Sequence, residues 1–114
     1  MCYMKSEIDI QIYETDDGKC PYLKWESRLS RIARAKISAR LERVKLGNIG
    51  DCKAIKGAKG LYELRIHYGP GYRIYFGKKG NTIILLLLGG SKSDQKKDIQ
   101  RSLKLWEDCF DKHK

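Results

Sequence analysis

Two alternating runs joined by a Gly-Pro-Gly turn constrain this chain more than anything else in it. They read Leu61-Tyr62-Glu63-Leu64-Arg65-Ile66-His67-Tyr68, then Gly69-Pro70-Gly71, then Tyr72-Arg73-Ile74-Tyr75-Phe76. Successive side chains of a strand point to opposite faces, so a period of two sorts them. Tyr62, Leu64 and Ile66 fall on one face, and across the turn Tyr72, Ile74 and Phe76 do the same. Glu63, Arg65, His67, Arg73 and Tyr75 share the other face, which the pattern leaves free of the core. Pro70 fixes one backbone angle of the turn and the flanking glycines tolerate the rest. Two arginines, a histidine and a tyrosine set side by side on rigid strands can bind phosphate and move protons.

The remaining elements follow from periodicity and turn chemistry. Residues 8–13 alternate and predict a first strand, ended by Asp16-Asp17-Gly18. Pro21 opens a helix at its first position. A second helix is expected from about residue 30 to residue 46, with Ala33, Ile37, Leu41 and Val44 on one stripe and Gly47 as its stop. Lys36, Arg40 and Arg43 flank that stripe on one side, and Arg31, Arg34 and Lys45 on the other. A short strand around residues 52–55 precedes the 61–68 and 72–77 hairpin. Residues 82–88 are apolar on both faces and read as a central strand buried on both sides. A closing helix over about 93–110 places Ile99, Leu103, Trp106 and Phe110 on one face. The order β-α-α-β-β-β-α predicts an α+β fold over residues 1–114: one domain, one twisted, mostly antiparallel sheet, helices packed on one side, and the hairpin face partly open.

Charge narrows the partners. The 114 residues suffice for a single core and carry a net charge of +10. Residues 1–20 sum to −3, so the remainder carries +13. A basic body of this size attracts polyanions, nucleic acid or an acidic protein, with salt-sensitive affinity. Cys2, Cys20, Cys52 and Cys109 lie far apart with no Cys-x-x-Cys pair, and His67 and His113 are the only histidines, so neither a metal site nor a cofactor is expected. The start, Met1-Cys2-Tyr3-Met4-Lys5-Ser6-Glu7, lacks the apolar core of a signal peptide, and the longest apolar run, residues 83–88, is too short for a bilayer. A cytoplasmic protein with reduced thiols is the expectation.

The hairpin, followed by Leu88-Gly89-Gly90-Ser91-Lys92-Ser93-Asp94-Gln95 and Lys97-Asp98-Ile99, resembles the RelE/ParE superfamily of bacterial toxins. More narrowly it resembles the HigB-like branch of addiction module killer proteins. Ala33-Arg34-Ala35-Lys36-Ile37, Leu46-Gly47-Asn48 and Gly50-Asp51-Cys52-Lys53 fit the same branch, and the similarity spans nearly the whole chain. The resemblance implies a RelE-like fold and the toxin of a type II toxin–antitoxin module. It implies an antitoxin partner of helix-turn-helix type, through which any DNA contact is indirect, and no membrane partner. The activity implied is ribosome-dependent cleavage of mRNA, an mRNA interferase that arrests translation. The alternatives are a ParE-like inhibitor of DNA gyrase, or a non-catalytic binding module that works only with its antitoxin.

Cleaving RNA through its own 2′-hydroxyl needs a proton acceptor, stabilisation of a crowded phosphorane, and a donor for the departing 5′ oxygen. Arg73 is the expected phosphate clamp, since a guanidinium fork matches phosphate oxygens. In the resemblance it matches the arginine after the Gly-Tyr of the hairpin turn, and Arg65 matches a basic position on the preceding strand. Lys92 corresponds to the basic residue after the last strand in ribosome-dependent members. His67 is a candidate for proton exchange by residue type and Tyr75 is a possible donor, which leaves the general acid and base open. Arg31, Arg34, Lys36, Arg40, Arg43 and Lys53 are candidate RNA contacts. Two departures from the resemblance stand out. The last helix has no tyrosine, only His113 near its end, and Glu63 occupies a position where ribosome-dependent members carry lysine. A carboxylate there repels RNA unless Arg65 neutralises it or it serves as the general base.

Overall fold

In the computed structural model, which describes residues 8–112, the hairpin lies inside a five-stranded sheet. The elements run β1 (Asp9–Ile12), α1 (Pro21–Glu26), α2 (Arg31–Lys45), β2 (Cys52–Ala54), β3 (Leu61–Ile66), β4 (Tyr72–Lys79), β5 (Ile83–Ser91), a single 3-10 turn (Lys92–Asp94) and α3 (Gln95–Lys112). The sheet order is β1-β5-β4-β3-β2, antiparallel throughout except that β1 runs parallel to β5. Four strands follow the two helices where the expected order string has three, and the short strand expected around residues 52–55 is one of them, Cys52 to Ala54 pairing with β3. The N-terminal residues 1–7 and His113 lie outside the described residues. Among the described residues no helix is long and apolar enough to cross a membrane.

Local chemistry explains the helix ends. Pro21 occupies the first turn of α1. The Ser30 hydroxyl accepts a hydrogen bond from the Ala33 amide at 3.1 Å and caps α2. Gly47, at a φ of 92° that a side chain would strain, turns the chain out of α2.

Helices cover both faces of the sheet, where the sequence pattern led us to expect one. Leu64, Ile66, Ile74, Phe76, Ile84 and Leu86 pack with Tyr22 of α1 and with Ile37 and Val44 of α2. On the opposite face Leu61, Tyr75, Leu85, Leu87 and Leu88 pack with Trp106 and Cys109 of α3. The physical reason lies in β5, whose unbroken aliphatic run puts leucines on both faces and so demands two covers. The hairpin face expected to stay open is therefore largely under α3, with Glu63 only 2% and Tyr75 0% exposed.

A bulge adjusts the fit of β5. Tyr75 pairs with Leu88 and Phe76 with Leu86, so Leu87 is the extra residue. Beyond it Gly89 lies against the Trp25 ring and Gly90 against the Asp98 carboxylate, while Gly77 on β4 lies under the Trp106 ring; a methyl group at any of the three would collide with its neighbour. The buried line of α3 is Asp98, Ser102, Trp106 and Cys109, rotated by about one residue from the expected stripe. Ile99 and Leu103 are half-buried, and Phe110 is exposed, its ring edge-on to Trp106 at 4.6 Å. On α2, Arg40 takes the buried place expected for Leu41, and its guanidinium donates to the Ile49 carbonyl at 2.5 Å. Arg40, 7% exposed, thus ties down the loop after α2 while also lining a cleft beside it.

Candidate nucleic-acid interface

The register of β3 and β4 sets Arg65 directly opposite Arg73 and Glu63 directly opposite Tyr75. Like charges facing each other across a strand pair repel, and here a carboxylate lies between them. Glu63 Oε1 is 3.0 Å from Arg65 Nε, and Glu63 Oε2 is 3.5 Å from Arg73 Nε. Gln95, the first residue of α3, donates its amide to Glu63 Oε2 at 2.7 Å. The bond to Glu63 is the main cause that raises the Arg65 pKa further above its already high value. Arg73 is itself 9% exposed, and its buried Nε makes no well-formed hydrogen bond. The buried Tyr75 hydroxyl makes none either; burial first, and then the charge of Glu63, push its pKa up and keep it a neutral phenol.

Beyond the edge of α3 the hairpin tip opens into a cleft of about 560 Å³. Arg65, His67, Arg73 and Lys92 line it, with Tyr68 and Tyr72. Lys92 is brought there by its own backbone: its amide donates to the Gly71 carbonyl at 2.7 Å, holding the end of β5 against the turn. Gly71 adopts a φ of 80° there, a conformation that a side chain would strain. Of the residues read as catalytic, Arg65, His67, Arg73 and Lys92 converge. Tyr75 does not, being buried beneath α3 and absent from the cleft wall.

A second cleft of about 560 Å³ adjoins the first, sharing Arg65, Ile66, His67 and Tyr68. Lys36 and Arg43 of α2 form its far wall with Arg40, and Asp51 and Asn48 contribute from the loop before β2. The Lys36 ammonium lies 5.4 Å from the centre of the Tyr68 ring, within range of a cation–π contact. Arg31 and Arg34 are exposed on α2 and line neither cleft. Lys53 borders a smaller cavity of about 230 Å³ together with Glu63, Gln95 and Ile99.

Residues 24–106 match the family described as Phage derived protein Gp49-like (DUF891). The chain belongs to this family. The span that makes it Gp49-like runs from α1 into α3 and contains both clefts' cations. An uncharacterized protein of Haemophilus influenzae is 44% identical over 79 residues, covering 68% of this chain and 78% of that protein. The Gp49-like family is related to toxin–antitoxin systems, which pair such a protein with an antitoxin.

Within the Gp49-like site, three residues to which no such role was given in the sequence matter. His67 Nε2 lies 2.6 Å from Asp51 Oδ2, with both side chains open to solvent. That bond is the main cause holding the Asp51 carboxyl below its ordinary pKa. The second residue is Gln95 and the third is Tyr68. Asp51 was within reach of sequence reasoning, because it directly precedes a strand that pairs with β3; its carbonyl accepts from the Arg65 amide at 3.0 Å. The Gln95 contact depends on how α3 docks, for which the sequence offers no signal. Among the described residues no three His, Cys, Asp or Glu side chains gather as a metal site. The arrangement can grip a phosphodiester between guanidinium and ammonium groups, and with Nε2 engaged by Asp51 it offers His67 Nδ1 for proton exchange.

Proposed function

We propose that this Gp49-like protein is the toxin of a toxin–antitoxin pair and that it arrests translation by cleaving mRNA on the ribosome at the hairpin-tip cleft. The observation that carries this reading is the convergence of Arg65, Arg73 and Lys92 beside the His67–Asp51 pair on one open cleft. In the proposed step the 2′ oxygen of a ribose attacks the adjacent phosphorus and its proton passes to His67. The bond from phosphorus to the 5′ oxygen breaks, that oxygen takes a proton from water in the open cleft, and a 2′,3′-cyclic phosphate remains. Arg65, Arg73 and Lys92 carry the charge that builds on the phosphorane. A sheet with one mostly antiparallel hairpin core and a closing helix is also what a RelE-like toxin requires. Ribosome dependence follows the resemblance, and Lys36 and Arg43 supply a basic wall along which the message extends.

The burial of Tyr75 and the lack of a tyrosine on α3 favour one rival, a ParE-like block of DNA gyrase, which needs no proton donor. Primer extension on a reporter mRNA after brief induction, with and without translation of that message, separates the two. Cuts at codon positions in the translated message alone support the nuclease. Intact message with arrested growth overturns it in favour of gyrase, and unchanged growth overturns both in favour of a module that acts only with its antitoxin.

A further inference from the structure

We propose that Glu63 is a positioning residue: a buried carboxylate, held by Gln95 of α3, that aligns the Arg65 and Arg73 guanidiniums as one clamp for a single phosphodiester group. The inference rests on the reading of the hairpin-tip cleft as an RNA site. By charge alone Glu63 is misplaced, since an anion behind a phosphate site weakens phosphate binding. It is nevertheless 2% exposed, and a carboxylate removed from water persists only when its oxygens are paired. Here Oε1 faces Arg65, while Oε2 faces both Arg73 and Gln95.

The atoms that make these contacts give the arrangement its use. Glu63 meets both arginines at Nε, the inner nitrogen of the guanidinium, through a hydrogen bond to Arg65 at 3.0 Å and through an ion pair to Arg73 at 3.5 Å. The hydrogen bond at Arg65 Nε fixes that guanidinium's plane and the ion pair draws Arg73 inward, leaving on each guanidinium two terminal nitrogens with four N–H donors between them for another partner. Arg65 and Arg73 are direct register partners and both line the cleft. Without the carboxylate they repel and swing apart; with it they form a rigid pair of net charge +1, matched to the single charge of a phosphodiester. Glu63 does not line that cleft; it borders the smaller cavity beside β2. It therefore acts through the arginines and not as a general base on substrate. Because Gln95 opens α3, the docking of that helix sets the geometry of the clamp.

The sign of one substitution decides the matter. The full chain is titrated into fluorescein-labelled single-stranded oligouridylate at several salt concentrations, read by anisotropy, for wild type, Glu63→Gln and Gln95→Ala. The Nε–Hε resonances of Arg65 and Arg73 are followed by NMR. Glu63→Gln makes the site more positive, yet it is expected to weaken binding about fivefold and to flatten the dependence of log affinity on log salt by about 0.7, one phosphate contact on a single strand. Gln95→Ala changes no charge and is expected to weaken binding two- to threefold and to shift the Arg73 resonance. Binding by Glu63→Gln that equals or exceeds wild type, or arginine resonances it leaves in place, overturns the positioning role and leaves the RNA reading standing. If Glu63→Gln fails to fold, Gln95→Ala decides, and unaltered binding by that variant overturns the proposal. A wild-type chain that does not bind oligouridylate overturns the RNA reading and the positioning role with it.

Discussion

Arg73 and Lys92 both face the cleft, but truncating them has different consequences because their surroundings differ. Arg73 balances the buried charge of Glu63, whereas Lys92 is exposed and forms no ion pair among the described residues. Arg73→Ala is expected to cost about 2–4 kcal/mol, below the full penalty of a broken buried pair because Arg65 and Gln95 stay on Glu63. Lys92→Ala is expected to leave stability within about 0.5 kcal/mol and to lower cleavage at least about tenfold. Thermal melts beside primer extension measure both; a Lys92→Ala chain that is stable and fully active removes Lys92 from the site. At this scale the sequence was informative about cations, since Arg65, Arg73 and Lys92 declare their chemistry by residue type. It was uninformative about Glu63 and Tyr75, because a period of two assigns a face but cannot say what covers it.

Among the elements, the hairpin was legible from Gly69-Pro70-Gly71 and its alternation, and α2 from its stripe and stop. The placement of α3 was not, because amphipathic periodicity shows that a helix has a buried side without showing which side of a sheet receives it. The bulge at Leu87 escaped for a related reason: in a run of leucines, shifting the register by one residue changes nothing in the pattern. Two substitutions test the docking of α3. Gly77→Ala meets the Trp106 ring, so it is expected to destabilise by about 1–3 kcal/mol. An open glycine site would instead gain from the lost backbone entropy of the unfolded chain, so a stabilised variant would disprove the close contact. Asp98 lies against Gly90, and burial is the main cause that raises its pKa above the ordinary 3.8. A carboxyl whose folded pKa is raised costs stability as pH climbs from its unfolded value through its folded one. Asp98→Asn is thus expected to raise the urea midpoint at pH 7 and to leave it unchanged at pH values below the ordinary carboxylate pKa. Equal midpoints for the two chains at pH 7 would show that Asp98 is compensated in the fold.

For the molecule as a whole, the net charge of +10 announced a polyanion partner, but composition could not say where the charge gathers. The fold concentrates it by bringing α2, the hairpin tip and the end of β5 around two adjoining clefts. Arg31, Arg34 and Lys53 lie elsewhere, and Arg40, in the wall of the second cleft, donates to the Ile49 carbonyl. On the proposed reading, the cations that track an RNA strand are Arg65, Arg73, Lys92, Lys36 and Arg43. Each phosphate neutralised on a single strand adds about −0.7 to the slope of log affinity against log salt, so three to five contacts give about −2 to −3.5. Removing Lys36 and Arg43 together is expected to flatten that slope by about 1.4, the equivalent of two contacts. On the proposed reading the sites of cleavage should not move, since it gives the α2 wall the guiding of the strand and the hairpin tip the reacting phosphate. Anisotropy titrations across a salt series measure the slope, and primer extension maps the cuts. A slope unchanged by the double substitution would mean that RNA leaves the hairpin tip in another direction, away from α2.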